Sequence, residues 1–313
     1  MDGRCAYSCS VRRLNVVLVS VVGVLAVGAI GGGTFAWVHA SRFDARMARI
    51  RDVPVPQVEA PDAPEAIERG RHVAHAIGGC ATRDCHGSDL GGGAPLAMGP
   101  VATFVGPNVT RGGTIADYSD GELLRLLTHG VRKDGTSVPF MPVQEFAWLP
   151  DDDLLAVVAY LRSVPPIDRV TPASEIGVLG KVLDGTGKVV LDVASHMEAH
   201  PREVAPPPEP TAKYGAHLAK LCFGCHGQTL SGGPIPGAPS DLAVPTNLTP
   251  HATGLAGRTY ADFERLLETG EKQDGTALDP FMPLEALRAM NDVERRALWA
   301  YLEQLPPREF GQR

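Results

Sequence analysis

Cys85-His86-Gly87 recurs 140 residues later as Cys225-His226-Gly227, and the recurrence is not isolated. Leu90 and Gly92-Gly93 are answered by Leu230 and Gly232-Gly233. Asn108-Val109-Thr110 is answered by Asn247-Leu248-Thr249, Arg125-Leu126-Leu127 by Arg265-Leu266-Leu267, and Gly130 by Gly270. Further along, Asp134-Gly135-Thr136 corresponds to Asp274-Gly275-Thr276, and Pro139-Phe140-Met141-Pro142 to Pro280-Phe281-Met282-Pro283. Ala159-Tyr160-Leu161 corresponds to Ala300-Tyr301-Leu302, and Pro165-Pro166 to Pro306-Pro307. So many matches in one order mean that the chain builds one unit twice, over 62–166 and 206–313. Residues 167–205 follow neither copy. They read as a linker, with a hairpin around Asp184-Gly185 and a stiff end at Pro206-Pro207-Pro208.

Each copy reads as helices, so the expected fold class is all-α. The first helix begins near Glu65 or Thr211 and runs into the Cys-His segment. A middle helix is expected over 119–128 and 260–269, closed by Gly130 and Gly270 as C-caps. A last helix is expected over 151–163 and 292–304. Asp151 and Asp152 suit its positive N-terminus, and Leu154, Leu155, Val158 and Leu161 form its apolar stripe. The 35 Gly and 27 Pro punctuate the chain into short helices and long ordered loops.

The chemistry sits at the repeated cysteines. Cys222-Phe223-Gly224-Cys225-His226 has the Cys-x-x-Cys-His form of c-type haem attachment. Two thiols add to the two vinyl groups and fix the ring, and the adjacent His supplies a nitrogen to the iron. Zinc would need further Cys or His ligands at suitable spacing, and a thiol redox pair would not need the His. In the first copy, four residues separate Cys80 from Cys85-His86. Attachment through both cysteines requires the extra pair to bulge. A single thioether at Cys85, or loss of the haem, are the alternatives. Met141 and Met282, each within Pro-Phe-Met-Pro, follow the His by 55 and 56 residues and are the candidate opposite iron ligands. The flanking prolines stiffen the loop that presents the sulfur. Met98 is a rival in the first copy but has no counterpart in the second, and Met290 reads as core. His72 and His217 are candidates for a haem-edge contact or for ordinary packing.

Ahead of the repeat, 14–38 (LNVVLVSVVGVLAVGAIGGGTFAWV) carries no charge and is long enough to span a bilayer, which takes about 20 residues. An uncleaved anchor is expected, although Val38-His39-Ala40 also suits a signal peptidase. Residues 1–13 form a tail before it, and 39–61 a stalk after it. The net charge of −7 argues against a nucleic-acid partner.

The halves resemble class I cytochrome c domains. The run through Asn247-Leu248-Thr249-Pro250, Asp274-Gly275, Phe281-Met282-Pro283 and Ala300-Tyr301-Leu302 is similar to the cytochrome c subunits of membrane-bound bacterial alcohol and gluconate dehydrogenases. The resemblance covers about two thirds of the chain. Those subunits usually carry three haems, whereas this chain has two attachment sites. The resemblance implies two tandem cytochrome c domains behind a membrane helix, with two haem c groups on the periplasmic side of the inner membrane. Cys5 and Cys9 would then be free thiols in the cytoplasm. Iron held by His and Met on both faces has no open position, which suits one-electron relay between redox partners. The expected function is transfer from a dehydrogenase or quinol-oxidising complex to a cytochrome or terminal oxidase. The alternative is a dihaem enzyme, peroxidase-like or thiosulfate dehydrogenase-like.

Overall fold

The computed structural model describes residues 4–197, 204–236, 238 and 242–313, without the side chains of 4–22 and 24. Helix α1 (Arg4–Met47) contains the whole of the expected span. Among the described residues no helix is long and apolar enough to cross a membrane. Part of the expected span, 14–22 and 24, lies outside the described side chains, as do Cys5 and Cys9. Residues 48–63 then run along the first half. Arg125 donates to Val53 O at 3.2 Å, and Ala60 N donates to Asp120 Oδ2 at 2.8 Å.

The first half contains α2 (Pro64–His72), which continues as a π-helical turn over Val73–Ile77, then β1 (Leu96–Ala97) and β2 (Ala102–Phe104). Helix α3 (Asp120–His129), a 3₁₀ turn over Val143–Glu145 and α4 (Asp151–Ser163) follow. Each helix has a local cause. Ser119 and Glu122 form a capping box at the start of α3, and Gly130 ends it in the left-handed region at φ 65°. Three aspartates open α4 against the helix dipole.

The segment between the halves is not a bare linker. Strand β3 (Glu175–Ile176) pairs antiparallel with β2, giving a sheet ordered β1-β2-β3. The fold is therefore mostly helical rather than purely α, because the turn at Met98–Val101 folds 96–104 into a hairpin that β3 extends. A helix, α5 (Val178–Gly185), stands where a hairpin was expected. It packs on the end of α1, and Arg46 pairs with Asp184 and Lys181 with Asp44. Phe43, Val101, Ala102, Phe104 and Leu191 are buried together beneath it. Helix α6 (Val193–Met197) closes the described part of this segment.

The second half contains α7 (Ala212–Leu218), a 3₁₀ turn over Ala219–Cys222, α8 (Phe223–His226), α9 (Tyr260–Thr269), α10 (Leu284–Ala289) and α11 (Asp292–Leu302). Capping boxes at Thr259/Asp262 and Asn291/Glu294 start α9 and α11, and Gly270 ends α9 at φ 75°.

In both halves the first helix crosses the last at a glycine. A Cβ on Gly70 would collide with the backbone of Ala156, and one on Gly215 with that of Ala297. Gly215 lies seven residues before Cys222, whereas Gly70 lies ten before Cys80. The π-helical turn and Gly79, at φ 60°, take up this insertion, as π turns commonly do. One apolar core runs through both halves. The π turn of the first half packs on α10, and the Val143–Glu145 turn packs on the Ala219–Cys222 turn. Each half thus lays the segment before its cysteines against the segment after the other half's Pro-Phe-Met-Pro. The contact has the form of an approximate two-fold exchange.

Candidate functional site

The structure gives the two Cys-His segments the same surroundings. His86 donates its Nδ1–H to Pro107 O at 2.8 Å, and His226 donates its own to Thr246 O at 2.8 Å. A backbone carbonyl can only accept, so each ring carries its proton on Nδ1 and keeps the Nε2 lone pair for a metal. Metal-ligating histidines are held in this way. Burial pushes both imidazoles below their ordinary pKa, although the carbonyl bond opposes it, so neutral rings are favoured.

The carbonyls are themselves fixed. The next residue in each half is a buried Asn. Asn108 donates to Ile167 O at 2.7 Å and accepts from Thr110 N at 3.0 Å. Asn247 donates to Arg308 O at 2.7 Å and accepts from Thr249 N at 2.9 Å. Each Asn thereby ties the loop that orients the histidine to the chain just beyond the last helix.

The glycine pairs turn the chain back beside the histidine. Gly92 N donates to His86 O and Gly232 N to His226 O, while Leu90 and Leu230 take positive φ in both halves. Four cysteines, Cys80, Cys85, Cys222 and Cys225, are free thiols. Burial pushes Cys80 and Cys222 up to about 12, and raises Cys85 and Cys225 as well. Thiols raised in this way are poorly suited to redox exchange. Met141 and Met282 both pack against the main core, whereas Met98 packs against the small cluster beneath α5. Met290 is buried as core. Among the described residues no group of three His, Cys, Asp or Glu side chains gathers as a metal cage. A ring fixed by two thiols and an apical imidazole does not need one, so the residues present fit haem c.

Three other histidines make protein contacts. His72 lies 2.8 Å from Glu294 in the opposite half, and His217 packs edge-on against Trp148. His75 bonds Tyr160 Oη at 3.0 Å. One acidic residue escaped the motif reading. Glu145 follows Met141 by four residues and reaches across to Gly224, inside the second Cys-x-x-Cys segment. Its counterpart by the repeat is Ala286, which faces Gly79.

The two loops that carry the methionines differ in cover. In the first half, Arg51 N donates to Gly135 O, Phe140 N to Leu191 O and Ala194 N to Ser137 Oγ, and Phe104 stacks on Phe140 at 3.9 Å. In the second half, residues 273–277 are exposed.

Residues 212–306 match the family model described as cytochrome c. This part of the chain is a cytochrome c domain. Curated relatives agree. The chain is 35% identical over 118 residues to the gluconate 2-dehydrogenase cytochrome c subunit of Pantoea cypripedii, covering 35% of this chain and 26% of that protein. It is 32% identical over 124 residues to the fructose dehydrogenase cytochrome subunit of Gluconobacter japonicus, covering 36% and 26%. It is 36% identical over 123 residues to the alcohol dehydrogenase (quinone) cytochrome c subunit of Gluconobacter oxydans, covering 37% and 26%. The chain thus spans about a quarter of the length of these relatives. All three are named as cytochrome subunits of dehydrogenases, which agrees with electron transfer and with haem c as the cofactor of the cytochrome c domain.

Proposed function

We propose that the chain carries two c-type haems and relays single electrons between protein partners at a membrane. Cys80 and Cys85 with His86 and Met141 would hold the first, and Cys222 and Cys225 with His226 and Met282 the second. The observation that carries this reading is the shared orientation of His86 and His226, each donating Nδ1–H to a backbone carbonyl and leaving Nε2 for iron. When bound, haem c supplies a one-electron couple. The protein's part is to hold the ring rigidly and keep water off it. Asn108 and Asn247 stiffen the histidine loops, and the flanking prolines stiffen the segments that carry Met141 and Met282. Packing of the segment before each cysteine pair on the segment after the other half's Pro-Phe-Met-Pro supports a short path between the two centres.

The relatives' names support a dehydrogenase as donor. A cytochrome or terminal oxidase is the proposed acceptor, and the open loop at 273–277 favours the second half as the docking side. Helix α1 is proposed as an inner-membrane anchor with the two haem domains in the periplasm. Its exposed Leu25, Val27, Ile30, Phe35 and Trp37 support this, since soluble surfaces rarely expose such a run.

The test is haem counting on the purified full chain by pyridine haemochrome. Two haems per chain are expected, falling to one in Cys222→Ala/Cys225→Ala and in Cys80→Ala/Cys85→Ala. One haem in the unaltered chain, or no loss in the first-half variant, overturns the dihaem reading. Membrane extraction of the full chain against a chain lacking 1–40 tests the anchor.

A further inference from the structure

Glu145 belongs to the first half and sits on the second half's attachment site. The Val143–Glu145 turn that carries it packs on Ala219–Cys222, and its carboxylate lies against Gly224, between Cys222 and Cys225. A Cβ on Gly224 would come within 2.9 Å of Glu145 Oε1. Among the described residues Glu145 Oε2 is buried without a hydrogen-bond partner. An acid in this state costs stability, because burying an unpaired charge is unfavourable. The symmetric position avoids the cost by using Ala286 against Gly79. The asymmetry is therefore a property of one centre and not of the duplicated fold.

We propose that Glu145 is a positioning residue through which the first half sets the redox potential of the second half's haem and couples it to pH. The proposal rests on the reading that Cys222, Cys225 and His226 hold a haem. Oxidation adds one positive charge to a buried centre, and an ionised carboxylate beside it favours that state. A protonated one does not. As the centre accepts one electron from a one-electron reductant, Glu145 takes up one proton from solvent, and the local net charge is unchanged.

Burial pushes Glu145 up to about 7, and the Gly224 N–H and the Gln144 amide only partly offset it. Its titration then falls in the physiological range. Other charged and titratable groups lie nearby. Arg313 donates from the C-terminus to Cys225 O, Gly233 O and Gly224 O. Lys220 lies over the Trp148 ring, whose Nε1 donates to Glu145 O. Cys222 and Cys225 lose their protons on thioether formation. His217 packs edge-on against Trp148.

The experiment is a potentiometric titration of the full-length holoprotein at pH 5.5 to 8.5, with both haems resolved, for wild type, Glu145→Gln and Glu145→Asp. In wild type the potential of the second haem should fall as pH rises through neutrality. The ceiling is a tenfold change in the oxidised-to-reduced ratio per pH unit, or 59 mV for one electron. Glu145→Gln keeps the shape and removes the charge. It should abolish that slope and raise the second potential at pH 8 while leaving the first unchanged. Glu145→Asp should keep a slope. A fully loaded wild type whose second potential is flat with pH, or a Gln variant that superposes on wild type, overturns the proposal. Failure to load haem at Cys222/Cys225 overturns instead the reading beneath it, and the haem count separates the two results.

Discussion

Replacing Gly215 with Ala tests whether the α7–α11 crossing holds the second half together. The new Cβ would lie 2.5 Å from the Ala297 carbonyl carbon and 2.8 Å from Tyr301 Cβ. The Ala297 carbonyl oxygen is nearer still, and ordinary contact begins near 3.4 Å, so the helices must part by more than 1 Å, against backbone that cannot rotate away. Overpacking of this kind costs about 1–3 kcal/mol, and a backbone clash belongs at the upper end. Ala is the better helix former by about 1 kcal/mol, which returns part of the loss. The net expectation is destabilisation of about 2 kcal/mol, because Ala219, Ala297, Leu298 and Leu302 are all packed beside the crossing. Guanidinium unfolding of the full-length holoprotein, followed by far-ultraviolet circular dichroism, measures it as a lowered midpoint at unchanged slope. A variant as stable as wild type, or more so, would refute the claim that glycine is required by close approach. Gly70→Ala, facing Ala156, should behave in the same way.

Three other changes follow from the packing. Glu145 titrates near 7 when folded and near 4.5 when unfolded, so stability is intact below pH 4.5 and lost as pH rises through 7. The loss is about 3 kcal/mol at 1.36 kcal/mol per unit. Glu145→Gln should therefore match wild type in denaturant at pH 4 and exceed it at pH 8. Asp192→Ala leaves the buried Arg51 guanidinium without the carboxylate 2.7 Å away, at a cost of about 3–5 kcal/mol. Faster limited proteolysis within 167–197 should report it, and unchanged cleavage would argue that Arg51 is held by other contacts. Ser119→Ala removes the α3 capping box for about 1 kcal/mol, read as a small drop in thermal midpoint.

Much of the helical frame was legible because its causes are local. The expected middle helix at 119–128 is observed at Asp120–His129, one residue along, and the one at 260–269 is observed unchanged. Gly130 and Gly270 close them as expected. The segment at Asp184-Gly185 misled because its dipeptide is a turn signal. Here Asp184 instead accepts from Leu191 N and Asp192 N and anchors the end of a helix, a role set by a partner seven residues away. The residues proposed to hold haem could be read from spacing, since thioether chemistry demands particular side chains. Their supports could not. Pro107 and Thr246 act through backbone oxygen, which any residue provides. Glu145 reaches Gly224 across 79 residues and in only one copy, so the repeat concealed it.

The exchange of segments between halves has a consequence for how the chain assembles. His72 meets Glu294 across 222 positions of sequence, and the core is complete only when both copies have met. Contacts so distant along the chain are entropically late, because long loops must close before they are rewarded. The contacts that lay the segments before Cys80 and Cys222 on the other half are therefore late to form. On the dihaem reading proposed above, both cysteine pairs would stay open to haem attachment until those contacts close.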